Sequence, residues 1–245
     1  MTPRHDARRM YDDLAWLWPL MGQPEEEDWI AESEQFVNAI NKHSRIQAKT
    51  LLNLGCGGGK NDYTLKKRFT ITGVDISVAM LANAKRLNQE IEYIVGDMRT
   101  ARLGKMFDAV MIADSIDYML TEDDLRAAFL TAFAHLKSGG VFCTYAEVTR
   151  ERFRQNETKC STYARGDMDI AFVNNSYDPD PTDTTYESTF VWLIRRTGKP
   201  EIETDHHLGG IFPLRTWVDL LRDVGFEVTL IETPFEAPMF VCVKP

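Results

Sequence analysis

The sequence predicts an α/β fold with a doubly wound, mostly parallel sheet, and three observations lead to this prediction. First, a short apolar run at residues 51–54 ends in four glycines within five residues, and a helix-compatible segment at 61–69 follows at once. Second, apolar runs and helical patterns continue to alternate as far as residue 146. Third, the run at 107–112 is almost continuously apolar, as expected for a strand buried on both faces. Such an alternation of strands and helices is typical of a parallel sheet covered on both sides.

The individual elements follow from helical and strand periodicity. An amphipathic pattern predicts a helix at 25–41, before the first strand. The parallel strands are expected at residues 51–54, 70–75, 91–95, 107–112 and 141–146, and the helices of the same region at 61–69, 78–88 and 122–136. Ser77 and Thr121 suit the N-caps of the last two helices, and residues 138–140, Ser-Gly-Gly, are expected to end the last one. The remaining predicted elements are a helix at 213–224, ended by Gly225, and strands at 226–232 and 239–243.

A different pattern between residues 149 and 211 predicts a small antiparallel β insertion after strand five. The stretch is polar, and its Asn-Asn-Ser and Asp-Pro-Asp-Pro segments are typical of turns. From residue 184 to 195, apolar side chains alternate with polar ones, which is the periodicity of a strand with one covered face. Residues 163–173 and 201–208 are expected to be its partner strands.

Composition and charge exclude several functional classes. The chain has 245 residues and a net charge of −9, and it lacks the long basic run that nucleic-acid binding needs. Its five histidines and four cysteines form no cluster with metal-ligand spacing. The charged N-terminus lacks the apolar region of a signal peptide, and no apolar stretch approaches the roughly 20 residues of a membrane span. We therefore expect a cytoplasmic protein with reduced thiols, no metal, and no nucleic-acid or membrane partner.

The glycine cluster at residues 55–59 is the best candidate for a ligand site. Glycine accepts positive φ and lets a ligand approach the backbone closely. Asp75 ends the second predicted strand, twenty residues after Gly55, at the distance expected for an acid that binds ribose hydroxyls. Gly-Asp-Met at 96–98 follows the third predicted strand. Together these features predict a nucleotide-type site at the carboxyl ends of the strands.

With these residues the chain resembles the class I S-adenosylmethionine-dependent methyltransferases, from about residue 50 to 148 and again from about 212 onward. The resemblance implies a Rossmann-like, seven-stranded sheet whose final strand is antiparallel. It also implies that the glycine turn lies under the methionine part of the cofactor and that Asp75 holds the ribose. Asp97 would reach the adenine amino group, with Met98 beside the ring. One residue departs from the family pattern, because the usual acid two positions before the first glycine is here Asn53, which adds no negative charge.

Small-molecule members of this family often carry a Tyr-Asp-x-Leu-Ala-like segment over the cofactor, here beginning at Tyr11. We therefore expect four segments: an N-terminal lid and helical segment at 1–45, a cofactor-binding core at 46–148, a substrate-side insertion at 149–211, and the C-terminal part of the core at 212–245. The residues predicted to bind S-adenosylmethionine, or its product S-adenosylhomocysteine, are Tyr11, Asn53, Gly55, Cys56, Gly57, Asp75, Ile76, Met80, Asp97, Met98, Ala113, Asp114 and Ser115.

The acceptor is expected beside residues 113–118, which follow the fourth strand and lack the Pro-Pro-Tyr/Phe type motif of DNA amino-methyltransferases. The pattern is most similar to small-molecule N-methyltransferases that act on amino sugars or on glycine and sarcosine. An amine acceptor must lose a proton, so nearby carboxylates would orient an ammonium and help its deprotonation. The candidate catalytic residues are Asp114, Tyr118, Glu147 and His207, and the further candidates are Asp117, Tyr145 and His206.

Three alternatives to this N-methyltransferase prediction stay open at the level of sequence. Tyrosine, histidine and acid residues would serve the hydroxyl acceptor of an O-methyltransferase equally well. A protein that binds S-adenosylmethionine without transferring its methyl group is a second alternative, to which Asn53 gives some weight. A dinucleotide oxidoreductase is disfavoured, because the turn lacks the third glycine spacing of that fingerprint. The polar insertion also offers a surface through which two copies could pair as a homodimer.

Overall fold

A computed structural model describes residues 8–197, 200–234 and 237–245 of the chain. The strands are β1 (Thr50–Leu54), β2 (Thr70–Asp75), β3 (Glu92–Val95), β4 (Phe107–Ile112), β5 (Leu136–Tyr145), β6 (Glu157–Arg165), β7 (Met168–Tyr177), β8 (Thr185–Arg195), β9 (Glu201–Gly210), β10 (Glu227–Ile231) and β11 (Met239–Val243). The α-helices are α1 (Glu27–His43), α2 (Lys60–Leu65), α3 (Val78–Leu87), α4 (Glu122–His135) and α5 (Leu214–Val224). Short 3₁₀ segments occur at Arg9–Tyr11, Ala15–Leu20 and Asp114–Tyr118.

Seven strands form one sheet in the order β10-β11-β5-β4-β1-β2-β3. Strand β11 is antiparallel to both of its neighbours, and the pairs formed by β1 to β5 are parallel. The predicted doubly wound sheet and its antiparallel final strand are therefore confirmed. The chain leads outward from β1 to β3 on one side and from β4 to β5 on the other. A ligand crevice is expected where this direction reverses, outside the carboxyl ends of β1 and β4.

Each face of the seven-stranded sheet is covered by its own apolar cluster. Leu51 of β1 packs in a cluster with Phe36 of α1. Its neighbour Leu52 belongs to the cluster on the other face, with Phe129 of α4 and Trp217 of α5. Successive side chains of a strand point to opposite faces, so a strand buried on both faces is apolar at every position. This explains why β1 and β4 are mostly apolar on both faces, with Asn53 and Asp108 as their polar interior positions.

The helix ends follow the predicted caps, with two exceptions. Ser77 Oγ accepts the Met80 N–H at 3.0 Å and Thr121 Oγ accepts the Asp124 N–H at 3.1 Å, so both predicted N-caps are confirmed. Helix α2, in contrast, ends at Leu65 and is shorter than predicted. The second exception is residues 138–140, which belong to β5 and do not end α4.

Helix α4 ends at His135, one residue before the predicted end, and this last residue contacts a distant part of the chain. The His135 side chain is buried, and its Nε2 accepts the Leu103 backbone N–H at 2.9 Å. The next residue, Leu136, is already extended and pairs with Phe107 of β4. The register between these strands then shifts before Ala109 pairs with Val141, so the glycines of this stretch lie at an irregularity of the strand.

The insertion is a four-stranded antiparallel sheet in the order β6-β7-β8-β9. The predicted single strand at 163–173 is wrong, because this range contains the end of β6, a tight turn and the start of β7. Arg165 pairs with Met168 across the turn, and Gly166 has a φ of +59°. A two-residue hairpin turn needs positive φ at its first central position, which glycine adopts without strain.

The N-terminal segment packs against this second sheet. Leu14, Leu17 and Met21 share an apolar cluster with Ile170 of β7 and Trp192 of β8. The Trp192 indole N–H points at the Met21 sulfur at 3.1 Å. The segment therefore joins the insertion to the rest of the molecule. Among the helices of the described ranges, none is long and apolar enough to cross a membrane.

Candidate active site

The glycine turn between β1 and α2 is held by hydrogen bonds to the end of β2. The N–H groups of Gly55 and Cys56 donate to the Val74 carbonyl at 2.7 and 3.0 Å. The Asp75 carboxylate accepts the Gly57 N–H at 2.8 Å and, through its other oxygen, the Ser77 N–H at 2.8 Å. Gly55 and Gly57 have φ values of +71° and +51°, which only glycine adopts without strain. Asp75 therefore shapes the turn as well as presenting a carboxylate beside it.

A cavity of about 870 Å³ lies at the carboxyl ends of the strands, between the seven-stranded sheet and the insertion. Every residue predicted to bind the cofactor lines it, and so do the candidate catalytic residues Asp114, Tyr118, Glu147 and His207. The structure thus brings together residues between 11 and 207 of the sequence. Their individual roles stay predictions. Of the further candidates, Asp117 lines this cavity, Tyr145 lines a smaller neighbouring one, and His206 lines neither.

Asp97 already has a cationic partner in the protein. Its carboxylate is bound by the Arg99 guanidinium, with contacts of 3.1 and 2.6 Å, and Arg99 also contacts Asp124 at 2.7 Å. The hydrogen bonds from Arg99 lower the pKa of Asp97. An ionised carboxylate at this edge of the cavity remains a hydrogen-bond acceptor, as the predicted contact with the adenine amino group requires.

The departure at Asn53 has a structural counterpart in Asp62. The Asn53 amide N–H donates to the Asp62 carboxylate at 2.8 Å, and Tyr93 donates to its other oxygen at 2.9 Å. Burial raises the pKa of Asp62 to about 6. Among the described residues, the Asn53 carbonyl oxygen has no hydrogen-bond partner. Where the family pattern has an acid on the cavity wall, this chain has the uncharged Asn53 amide, and the nearest carboxylate, that of Asp62, lies behind it.

Four carboxyl groups converge where the main cavity meets the second one of about 490 Å³. Asp114 and Glu147 line both cavities, Glu32 lines the smaller one, and Asp117 lines the larger one. The Tyr145 hydroxyl bridges two of them, with its oxygen 2.5 Å from Glu32 and in a short contact with Asp114. Asp117 is 7% exposed, and neither of its carboxylate oxygens has a partner among the described residues.

The surroundings of these acids raise their pKa values. Removal from bulk water is the main cause for all four, and mutual repulsion adds to it for Asp114, Asp117 and Glu147. The pKa of Glu32 rises to about 7. Asp114 and Glu147 are exposed, and both line the two cavities, so water reaches them and desolvation acts less strongly on them than on the buried Asp117. The group is therefore suited to receiving a cation.

A chain of hydrogen bonds crosses the other side of the main cavity. The hydroxyl oxygens of Tyr11 and Tyr118 lie 2.8 Å apart, and Tyr118 contacts His207 Nδ1 at 2.7 Å. His207 Nε2 lies 2.7 Å from the Asp205 carboxylate, which also accepts the Met10 N–H at 2.8 Å. Burial lowers the pKa of His207, which favours the neutral ring. Both ring nitrogens thus have protein partners, so Tyr11 and Tyr118 stand between His207 and any acceptor.

Sequence reasoning missed several cavity residues. Lys60 follows the glycine turn directly, and its ammonium lies over the rings of Trp18 and Trp29, 4.4 and 4.9 Å from the centroids. Tyr186 of β8 and Arg8 also line the cavity. The alternation of β8 identified Tyr186 as inward-facing, and nothing in the sequence indicated which cavity it meets. A lysine in the first turn of a helix carries no local signal of burial.

Comparison with known proteins defines the class. A family model described as a methyltransferase domain matches residues 51–140. The putative methyltransferase YqeM of Bacillus subtilis is 30% identical over 195 residues, which cover 76% of this chain and 76% of that protein. The dTDP-3-amino-3,6-dideoxy-alpha-D-glucopyranose N,N-dimethyltransferase of Streptomyces fradiae is 30% identical over 166 residues, covering 67% of this chain and 65% of that protein.

Solved structures agree with this assignment. Streptomyces venezuelae DesVI matches with a TM-score of 0.83 and 25% identity over 95% of this chain and 96% of that one. S-adenosylmethionine-bound CalS10, an amino pentose methyltransferase from Micromonospora echinaspora, has the same fold, with a TM-score of 0.81 and 24% identity over 95% and 96% of the two chains. The chain therefore belongs to the methyltransferase family. It is an S-adenosylmethionine-dependent methyltransferase.

The residues of the cavity fit this cofactor. A Cβ atom at Gly55 would lie 2.0 Å from Ser115 Oγ, so only glycine leaves the turn its close packing at the cavity floor. Asp75 would hold the ribose and Asp97 the adenine, with the glycine turn beneath the amino-acid end. When bound, the cofactor supplies a methyl group that its sulfonium charge makes reactive.

Proposed function

We propose that this enzyme transfers the methyl group to the amine nitrogen of a small metabolite, with an amino sugar as the first candidate. The observation that carries the proposal is the convergence of Glu32, Asp114, Asp117 and Glu147 on the cavity walls. The printed names of relatives from Streptomyces fradiae, Streptomyces venezuelae and Saccharopolyspora spinosa, which are amino-sugar N,N-dimethyltransferases, support the same acceptor class.

The acids favour an amine because none of the four forms an ion pair within the described part of the chain, although Lys159 on the wall of the smaller cavity partly offsets the rise in the pKa of Glu147. A protonated amine placed among them would relieve the repulsion between the carboxyls and interact with them more strongly than in water. Among the described residues, Asp117 has two carboxylate oxygens free to orient such a group. A neutral hydroxyl acceptor would leave the same repulsion uncompensated. We therefore assign the acid group to binding and orienting the acceptor nitrogen.

The same acids offer a route for the proton that an ammonium must lose. A general base works best when its pKa lies near the working pH, and the raised pKa of Glu32, about 7, meets that condition. Glu147 and Asp114 stand on the cavity wall, and Tyr145 joins Asp114 to Glu32 by its hydroxyl. A proton accepted at a carboxylate oxygen of Asp114 or Glu147 would remain within this group. The enclosing insertion would exclude water during transfer.

A hydroxyl acceptor is the second candidate, and the chain from Tyr11 to Asp205 favours it. With neutral His207, Nε2–H donates to Asp205, so Nδ1 accepts the proton of Tyr118, whose oxygen in turn accepts from Tyr11. In this arrangement a Tyr11 oxygen lone pair is left to accept a hydrogen bond from the substrate hydroxyl and to orient it. His207 would then act as a positioning residue behind the tyrosines.

We also propose the four-part organisation, the partners and the location expected from the sequence. The cavity takes Tyr11 from the N-terminal segment, Asp75 from the core and Tyr186 from the insertion, which supports a lid, a core and a substrate-side part. The charge of −9 supports a small-molecule acceptor in place of nucleic acid. Free thiols at all four cysteines support a cytoplasmic location. A homodimer remains a proposal that sedimentation can test.

The test uses acceptors that differ only in the reacting atom. The enzyme is incubated with S-adenosylmethionine and either dTDP-3-amino-3,6-dideoxyglucose or the same compound with a 3-hydroxyl group, and further amine and hydroxyl pairs follow. We expect mass spectrometry to find methylated product from amines alone. Asp117→Asn should lower kcat/KM by roughly 10- to 100-fold, the scale of a lost charge-assisted hydrogen bond to the acceptor nitrogen. Methylation of the hydroxyl members with the amines unchanged would overturn the proposal.

A further inference from the structure

The side chain of Lys60 is a buried cation on the cavity wall. The residue begins α2 directly after the glycine turn and is 5% exposed. Its ammonium donates a short hydrogen bond to the Met21 carbonyl and lies over the rings of Trp18 and Trp29. A buried ammonium is costly unless an anion or several hydrogen bonds compensate it. One carbonyl and two aromatic faces compensate this charge only in part.

No carboxylate in the described part of the chain forms an ion pair with Lys60. The acid that acts on it most is Glu26, and that carboxylate is bound by Arg165 at 2.9 Å. Burial consequently lowers the pKa of Lys60 to about 8, with Glu26 opposing the shift and Arg165 adding to it. Lys60 therefore lines the cavity as a buried cation that has no carboxylate partner among the described residues.

The indole N–H of Trp18, whose ring contacts the Lys60 ammonium, is a second hydrogen-bond donor, and it has no acceptor among the described residues. Its ring lies over the glycine turn, so close that a Cβ atom at Gly58 would be 2.3 Å from the indole nitrogen. This N–H is buried, and it has no acceptor among the described residues. An indole N–H without an acceptor and an ammonium without a carboxylate thus meet on one patch of the cavity wall, beside the turn.

The other cations of the cavity are already engaged. Arg99 is bound to Asp97 and Asp124. The Arg8 guanidinium, which like Lys60 has no ion pair among the described residues, lies over the Tyr118 ring at 4.0 Å from its centroid, whereas Lys60 follows the glycine turn directly. The cofactor carries a single carboxylate, at its amino-acid end. Of the basic side chains in the described cavity wall, Lys60 stands next to the glycine turn and lacks an acid. Asn53, on the same side, offers an uncharged oxygen where the family pattern has an acid.

We propose that Lys60 and Trp18 form the subsite for the carboxylate of the cofactor's amino-acid end, with the ammonium as the main donor and the indole N–H as the second. In this chain, recognition of that end rests on its carboxylate, while the ammonium meets only the neutral Asn53 amide. The subsite joins α2 to the N-terminal segment, so cofactor binding also fastens that segment over the cavity. The proposal concerns the cofactor and does not depend on the acceptor.

The test compares ligands that differ by one group. Calorimetric titration of the whole protein uses S-adenosylhomocysteine, its decarboxylated analogue, and methylthioadenosine, which lacks the amino-acid end. A charge-assisted hydrogen bond contributes on the order of 10- to 100-fold, so the wild type should prefer S-adenosylhomocysteine over the decarboxylated analogue by this factor. Lys60→Met keeps the apolar stem between the two tryptophans and should remove most of the preference, because only the Trp18 indole N–H is left as a donor. Trp18→Phe should reduce it by a smaller factor.

Controls separate the subsite from the fold. Lys67→Met removes an exposed lysine just beyond α2 and should keep the wild-type preference. Unchanged binding of methylthioadenosine to Lys60→Met would show that the nucleoside part of the site is intact. A Lys60→Met variant that still distinguishes the two ligands by the wild-type factor would overturn the proposal, and so would a wild type without any preference.

Proton uptake gives a second readout, independent of affinity. Near pH 8 the free Lys60 is about half protonated, and a bound carboxylate favours its charged form. Binding of S-adenosylhomocysteine should therefore take up about half a proton more in the wild type than in Lys60→Met, as measured by calorimetry in buffers of different ionisation enthalpy. The difference should vanish with the decarboxylated analogue. Equal uptake by the two proteins would contradict the assignment.

Discussion

Two carboxyl groups on the acceptor side of the site, those of Glu32 and Asp117, have raised pKa values. Glu32 and Asp117 illustrate two ways of holding an acid away from water. Glu32 shares the Tyr145 hydroxyl, whereas Asp117 has no partner among the described residues. Both have raised pKa values, mainly because they are removed from bulk water. The protein without ligands therefore holds protons on these groups at a pH where exposed acids have lost them.

Glu32→Gln should change how stability depends on pH. The folded-state pKa of Glu32, about 7, lies above its ordinary value, so its contribution to stability is complete below about pH 4.5 and is lost as pH rises through 7. Urea unfolding at pH 5 to 8 should show the variant gaining on the wild type as pH rises. The gain should not exceed about 1.4 kcal/mol per pH unit, the limit for one proton.

Glu27→Gln is the matched control for this prediction. It removes an exposed carboxylate from the same helix, so its stability difference from the wild type should change little over this pH range. If Glu32→Gln differed from the wild type by the same free energy at every pH, the raised pKa of Glu32 would be wrong.

Ser77, the N-cap residue of α3, connects this helix to the N-terminal segment. Ser77 Oγ accepts the Met80 N–H, and its hydroxyl also donates to the Tyr11 carbonyl in a short hydrogen bond. Thr121 caps α4 in the same way, but within the described ranges its hydroxyl contacts only its own helix. The two caps therefore differ in what they hold together, although their local geometry is alike.

Ser77→Ala and Thr121→Ala should each lower the free energy of unfolding, Ser77→Ala by the larger amount, and they should differ in local effect. Each loses an N-cap hydrogen bond, which destabilises by about 1 kcal/mol. Only Ser77→Ala should speed hydrogen–deuterium exchange in the 3₁₀ segments Arg9–Tyr11 and Ala15–Leu20, because it also loses the bond to the Tyr11 carbonyl. Equal exchange of these segments in both variants would show that this bond does not hold the N-terminal segment.

At the scale of the whole molecule, the cavity lies between two sheets that have separate apolar cores. Trp192 is fully buried between the insertion and the N-terminal segment, and Trp217 is 1% exposed in the core of the seven-stranded sheet. The N-terminal segment contacts the insertion through the first of these cores. We infer that loss of either tryptophan affects a different wall of the cavity.

Trp192→Ala and Trp217→Ala test this division. Each truncation should lower the unfolding free energy by roughly 3–5 kcal/mol, the usual cost of removing a buried aromatic ring. Trp192→Ala should loosen residues 8–21 and strands β7 and β8, as seen by hydrogen–deuterium exchange, while α4 and α5 stay protected. Trp217→Ala should give the reverse pattern. The same exchange pattern in both variants would mean that the two cores act as one.

Local chemistry explains what the sequence predicted correctly about the fold. Strand and helix periodicity, the N-caps Ser77 and Thr121, and the αL residue Gly225 are properties of a few neighbouring residues, and they placed most elements within a few positions. The errors occurred where distant contacts override local preference. Leu136 pairs with Phe107 of β4, so residues 138–140 lie in β5, and the hairpin at Gly166 interrupts a run that looks like one strand.

The sequence by itself determined the α/β class, the glycine turn and the acids after β2 and β3, because these depend on chain spacing along one βαβ path. Tertiary structure alone decided which groups meet across the cavity. Tyr145 reaches Glu32 over 113 residues, and Tyr118 reaches His207 over 89. Burial and charge at Lys60 arise in the same way, from rings that the N-terminal segment places around it. Desolvation and Coulomb forces depend on distance in space, which the order of residues does not specify.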